Sequence, residues 1–271
     1  MTPDARHPPL CASALGIAVP GRNLVENLDL AVEDGELVAI LGRNGAGKTL
    51  TLETLAGLRE PSAGRVLLDG GDMAELQRRH VAKRLALLPQ LVEDIFPATV
   101  LDTVLIGRHP HVGRLRWESD ADVGIARDAL ATVDLHAVAE RDVLTLSGGE
   151  RRRVAIAQTL AQTPHIYLLD EPTNHLDPQH QLDTMRVFRG AADDGAAVIA
   201  SLHDVNLAAR FADRCLLLFG DGRWRLGSTA DVLTEAGLSE LFATPMEAIA
   251  WRSRQLFVAA GGQSPSGNET L

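Results

Sequence analysis

Residues 42–49 read Gly42-Arg43-Asn44-Gly45-Ala46-Gly47-Lys48-Thr49, which fits the G-x-x-x-x-G-K-[ST] phosphate loop without a mismatch. Glycines let backbone N–H groups close on phosphate oxygens, and the N-terminus of a following helix adds partial positive charge. Lys48 supplies a point charge for the β- and γ-phosphates of a nucleoside triphosphate, and the Thr49 hydroxyl suits Mg²⁺. A second cluster ends the apolar run Ile166-Tyr167-Leu168-Leu169 with Asp170-Glu171. Beside a phosphate loop, an Asp at a strand end can hold the Mg²⁺ shell. Glu171, on the opposite side of the backbone, is placed to polarise an attacking water. Without that loop, an acidic pair after a strand is ordinary turn chemistry.

Such residues need elements that aim them. Glu36–Leu41 is an apolar run of strand length before the loop, and Leu50–Ala56 reads as the helix after it. Residues 10 to 35 alternate short apolar runs with turns at Pro20-Gly21 and Glu33-Asp34-Gly35, as hairpin strands do. Strand patterns return at 65–68 and 84–88. From about Val92 to Gln162 the spacing is helical: Thr99 to Ile106, Asp120 to Val133, and a helix capped by Ser147 that runs to Ala161. Strand and helix then alternate through Ile166–Leu169, Gln179–Arg189, Ala196–Ala200, Val205–Phe211 and Arg214–Phe219. This order predicts an α/β nucleotide-binding domain over residues 10–259, with an antiparallel β part and an inserted helical subdomain at about 92–162. The polar, glycine-rich tail 260–271 is expected to be disordered.

Composition narrows the classes. The 271 residues are 45% hydrophobic but only 4% aromatic, with no aromatic before Phe96. A formal charge of −10 argues against non-specific wrapping of nucleic acid. No stretch approaches the roughly 20 apolar residues that span a bilayer. Met1 to Pro9 has no secretory apolar region, so a cytoplasmic chain is expected. Cys11 and Cys215 are too few and too far apart for a disulfide framework or metal site, and read as reduced, partly buried thiols. Arg151-Arg152-Arg153 cannot share one helix face and reads mainly as a solvated stretch, with one arginine as a candidate to support the site. His109 and His111 flank Pro110 without further ligands, which argues against zinc. Trp224 and Trp251 read as core or interface residues rather than base-stacking platforms.

Taken together, six motifs in order resemble those of ATP-binding cassette ATPases over about Leu10 to Ala259. The phosphate loop is similar to Walker A and Ile166–Glu171 to Walker B. Leu146-Ser147-Gly148-Gly149-Glu150 is similar to the family's signature. Gln90 after Leu87-Leu88-Pro89 matches the Q-loop glutamine, Leu176-Asp177 the D-loop, and His203 the switch histidine. The resemblance implies a P-loop fold of ABC type using ATP and Mg²⁺. It implies Glu171, His203 and Gln90 as catalytic residues, and Thr49, Gln90 and Asp170 around the metal. It further implies nucleotide contacts from residues 42–49, Ser147, Gly148, Gly149 and Asp177. The signature residues would touch the γ-phosphate held by a second, head-to-tail copy. Two departures stand out: no aromatic precedes Walker A to stack on adenine, leaving Val19, Pro20 or Arg22, and Leu50 replaces a common second hydroxyl after Thr49.

The segments Phe96 to Val100 and Gly107 to His111, with Thr173 to Asp177 and Leu202 to Ala208, resemble importers of cobalamin, haem and ferric siderophores. That resemblance implies an integral membrane permease, a separate periplasmic or surface substrate-binding protein, and a place on the cytoplasmic face of the cell membrane. The alternative is a soluble cassette ATPase of iron–sulfur cluster assembly. A DNA-repair cassette needs a long internal coiled coil and a translation cassette two copies in one chain; a lone phosphate-loop kinase lacks the signature.

Overall fold

The apolar–polar alternation of the first strands folds them into a half-buried hairpin. β1 (Leu10–Val19) and β2 (Arg22–Val32) pair antiparallel about the Pro20-Gly21 turn. The computed structural model describes residues 7–90, 97–113, 117–252 and 254–260; Val92, Phe96 and the tail beyond residue 260 lie outside them. β3 (Leu37–Gly42) is buried at every position, as a strand covered on both faces must be. It delivers the chain to the phosphate loop and to α1 (Lys48–Leu55). β4 (Ala63–Leu68) and β5 (Gly71–Asp72) complete a four-stranded antiparallel sheet in the order β2-β1-β4-β5. α2 (Arg78–Arg84), a helix that the apolar spacing does not announce, runs into β6 (Leu85–Leu88).

Three helices follow: α3 (Val100–Leu105), α4 (Asp120–Thr132) and α5 (Gly148–Ala161). Each starts at a side-chain cap. Thr99, Ser119 and Ser147 accept from the N–H groups of Asp102, Asp122 and Glu150, and the last two form full capping boxes. Val100, Val104, Leu130 and Ile156 join these helices in a core that continues onto one face of the central sheet. Gly107 lies where the chain leaving α3 crosses α5. A Cβ there would stand 2.3 Å from the Gln158 carbonyl oxygen. Gly107→Ala is therefore expected to cost about 1–3 kcal/mol through overpacking. Calorimetry should show a lower melting midpoint, and an unchanged midpoint would show that α5 yields without cost.

The chain then alternates β7 (Ile166–Asp170), α6 (Pro178–Asp193), β8 (Ala197–Ser201), α7 (Val205–Phe211) and β9 (Arg214–Leu218). With β10 (Trp224–Ser228) they build a six-stranded sheet ordered β10-β9-β3-β8-β7-β6, parallel except for β10. Parallel pairing brings the C-terminal ends of β3, β6, β7 and β8 to one edge, where open α/β sheets bind ligands. α8 (Thr229–Val232), α9 (Glu235–Phe242) and a hairpin of β11 (Met246–Trp251) and β12 (Arg254–Ala259) follow. Asn206 on α7 holds that hairpin: Phe257 N–H donates to its Oδ1 at 2.8 Å, and its Nδ2 donates to the Phe257 carbonyl at 3.2 Å. Trp224 is half-buried, with its indole N–H on the Glu26 carbonyl at 2.9 Å. Trp251, expected in a core or interface, is 50% exposed. Cys215 is fully buried, and burial pushes its thiol up to about 11, whereas Cys11 is half-buried.

Candidate functional site

α1 begins differently from the three helices of the block. Its cap residue, Gly47, has φ 103°, which a side chain would rarely permit. It provides no side-chain acceptor, and the first turn holds no acid. The leading N–H groups of α1 are therefore left for an external anion. Lys48 is only 6% exposed and donates from Nζ to the Gly42 carbonyl at 3.0 Å. Burial lowers its pKa, opposed by Glu171 and then Asp170.

The two acids at the end of β7 are held by one hydroxyl. β7 pairs with β8 so that Asp170 lies opposite Ser201. Ser201 Oγ donates to Asp170 Oδ1 at 2.6 Å and accepts from the Glu171 N–H at 2.9 Å. Glu171 itself has φ 49°, a left-handed conformation that costs a non-glycine residue about 1–3 kcal/mol. The turn sets its carboxylate among donors from three segments. Gln90 Nε2 donates to Oε2 at 2.7 Å, Asn174 Nδ2 donates to the same oxygen, and His203 Nε2 contacts Oε1. Lys48 Nζ lies 3.9 Å from Oε1.

These groups share a cavity of about 710 Å³, walled by Arg43, Asn44, Gly45, Gly47, Lys48 and Thr49 on one side and by Gln90, Glu171 and His203 on the other. Gly42 and Ala46 line an adjoining hollow of about 610 Å³ together with Arg22 and Phe219. Thr49, Gln90 and Asp170 line a smaller cavity of about 260 Å³. Two carbonyl or hydroxyl oxygens and a carboxylate are hard donors of the kind Mg²⁺ accepts. Val19 and Arg22 reach the main cavity, and Arg22 is pinned to the Gly220 carbonyl through Nε at 2.9 Å and Nη2 at 2.6 Å. Pro20 stays exposed in its turn. Leu50 lines the cavity without a hydroxyl to offer.

Four residues singled out in the sequence are not brought there. Ser147 and Gly148 are exposed at the start of α5, with Gly149 beside them, and Asp177 is exposed at the start of α6; none lines the phosphate-loop cavity. Ser147 Oγ donates to Glu150 Oε2 at 2.7 Å and accepts from the Glu150 N–H at 3.3 Å. Asp177 accepts from the His180 N–H at 3.0 Å, a bond that lowers its carboxyl pKa. His111 sits 2.9 Å from the Gln162 carbonyl and His109 3.8 Å from Glu118. Among the described residues no three His, Cys, Asp or Glu gather as metal ligands.

A family model described as "ABC transporter" matches residues 25–174, just over half of the chain. The chain belongs to the ABC transporter family. Its fold is that of the ABC ATPase cassette. Over 227 residues it is 40% identical to the cobalamin import ATP-binding protein BtuD of Halobacterium salinarum, covering 83% of this chain and 56% of that protein. It thus spans little more than half the length of that relative. It is 42% identical over 231 residues to the hemin import ATP-binding protein HmuV of Gloeobacter violaceus, covering 83% of both. The inward-facing structure of a metal-chelate type ABC transporter superposes with a TM-score of 0.81 at 28% identity, over 93% of this chain and 98% of that one.

Residues outside the six motifs also border the site. Of the arginine run, read mainly as solvated with one member as a candidate to support the site, Arg152 is that member: it is 5% exposed and bonded to backbone carbonyls of the site. Only Arg151 fits the solvated reading fully; Arg153 is half-buried against the Val133 carbonyl at 3.0 Å. The burial of Arg152 has a legible cause, since residues 152, 155, 156 and 159 recur at helical spacing and all are buried in α5. Burial drags the Arg152 pKa down to about 10, against the opposing pull of Asp170 and Glu171. Ser201 carries no motif of its own, and Phe219 reaches the hollow beside Arg22 from far downstream. Only the tertiary fold places them.

Proposed function

We propose that this cassette is the ATP-hydrolysing subunit of a membrane importer for a metal chelate: cobalamin, haem or a ferric siderophore. The observation that carries this reading is the division of the nucleotide machinery. Most of the phosphate loop, Glu171, Gln90 and His203 converge on one cavity and Asp170 lines a smaller one with Thr49 and Gln90, while Ser147 and Gly148 stand exposed at the start of α5 with Gly149 beside them. The capping box of α5 takes up the Glu150 N–H but not those of Gly148 and Gly149, which at this exposed helix start are offered to the γ-phosphate of ATP held by a second copy. Head-to-tail pairing of two chains makes each site whole, with Asp177 at the seam.

In this reading residues 42–49 cradle the triphosphate, and Lys48 supplies its cation. Thr49, Gln90 and Asp170 would hold Mg²⁺, which would supply positive charge against that of the triphosphate. Glu171 takes the proton of the attacking water, and His203 orients Glu171 and donates to the γ-phosphate. Arg22, held flat by Gly220 and neighboured by Phe219, offers a platform for the base. Residues 10–259 act as one nucleotide-binding domain, and the helical block at about 92–162 docks on a permease.

Among the described residues no helix is long and apolar enough to cross a membrane. The cassette then sits at the cytoplasmic face of the cell membrane through its permease, and meets the substrate-binding protein only indirectly. The two relatives above are named for import, not for iron–sulfur cluster assembly. Affinity purification of the full chain from detergent-solubilised membranes tests the point. A polytopic membrane protein is expected to co-purify and to alter the ATPase rate. Recovery of soluble scaffold proteins alone would reject the importer reading.

A further inference from the structure

Arg152 reaches five backbone carbonyls on two separate segments. Nη1 donates to Pro89 at 2.6 Å and to Gln90 at 3.3 Å. Nη2 donates to Asp170 and to Glu171, each at 2.8 Å, and Nε donates to Pro172 at 3.4 Å. No carboxylate forms an ion pair with it among the described residues, so carbonyl dipoles satisfy a buried guanidinium whose planar fork a lysine cannot imitate. The side chain springs from α5, two turns or less from Ser147 at that helix's start.

The consequence lies at Glu171. Its N–H is held by Ser201 and its carbonyl by Arg152. Both peptide groups that flank its left-handed φ are therefore clamped from outside β7. The same guanidinium holds the carbonyl of Gln90, whose side chain donates to the Glu171 carboxylate. One residue on the signature helix thus sets the backbone under both side chains.

We propose that Arg152 is a positioning residue for hydrolysis, fixing the Glu171 carboxylate and the Gln90 amide relative to the start of α5. Rotation or shift of α5 on pairing then reaches the attacking-water position directly through this guanidinium. The proposal rests on Glu171 acting as the base. A misplacement of about 1 Å at a reacting group costs on the order of 10²-fold in rate.

The test is steady-state ATPase kinetics on the full chain, per folded, ATP-binding molecule, at a temperature well below each variant's melting midpoint. Arg152→Met is expected to lower kcat about 10²-fold while KM for ATP stays within about threefold. Arg152→Lys keeps the stem and the charge but loses the fork; it should show the same split and is read in its place if Arg152→Met does not fold. Arg153→Gln, which gives up one bond to Val133 outside the site, should keep kcat near wild type. A role confined to stability would lower the melting midpoint and leave kcat intact, and that result overturns the proposal. Glu171→Gln separates the two ideas. If it too hydrolyses normally, the reading of the base falls; if it is inactive while the Arg152 variants turn over like wild type, only the role of Arg152 falls.

Discussion

Glu171→Gln in this cassette is expected to bind Mg-ATP, hydrolyse it about 10²–10⁴-fold more slowly, and accumulate as a dimer. Glutamine keeps the shape of the side chain and can still meet Gln90, Asn174 and His203, which now surround the carboxylate. What it loses is the capacity to take a proton. Since Lys48 and the open start of α1 are untouched, capture of the triphosphate persists. A γ-phosphate that stays uncleaved continues to hold two α5 helices against two phosphate loops. Size-exclusion chromatography with and without Mg-ATP reads the outcome. A monomeric Glu171→Gln that turns over near the normal rate would remove Glu171 from the role of base.

Ser147→Arg should abolish hydrolysis while sparing ATP binding. The hydroxyl is exposed at the start of α5, outside the chain's own phosphate-loop cavity. A bulky side chain there obstructs only the copy that faces it. Lys48→Ala fails for the opposite reason. It removes the buried ammonium at the foot of the loop, so ATP affinity itself is lost. Mixing the two inactive chains creates hybrid pairs in which one site has an intact loop and an intact signature. Part of the activity should return. Full activity in Ser147→Arg alone, or a mixture as dead as its parts, contradicts the shared site.

Much of this arrangement is legible in local chemistry. A glycine run closing on Lys48-Thr49 between an apolar strand and a helix can serve little other than phosphate, because close backbone approach and an uncapped helix start demand those residue types. Ser147 and Glu150 specify a capping box by their spacing alone, and α5 starts where they say. The all-apolar run before Asp170 announces a strand covered on both faces, which β7 is.

Other features depend on approach between distant segments, for which local spacing carries no signal. Nothing near Ser201 in the chain says that its hydroxyl will bridge Asp170 and the Glu171 N–H; the parallel register of β7 and β8 decides it. α2 carries one buried residue, too weak a stripe to read. Gly107 looks like any loop glycine until α5 passes over it. Arg152 shows the boundary most clearly. Its spacing from Ile156 and Thr159 places it on the buried stripe, yet a charge on that stripe is tolerable only where carbonyls from Pro89–Gln90 and Asp170–Pro172 converge. The sequence by itself determined the phosphate chemistry and the helix starts, because those follow from residue types within one turn or one strand. The tertiary structure decided that Gln90 and His203 meet the Glu171 carboxylate and that Arg152 holds its backbone, because these come from separate segments that meet only at the edge of the parallel sheet.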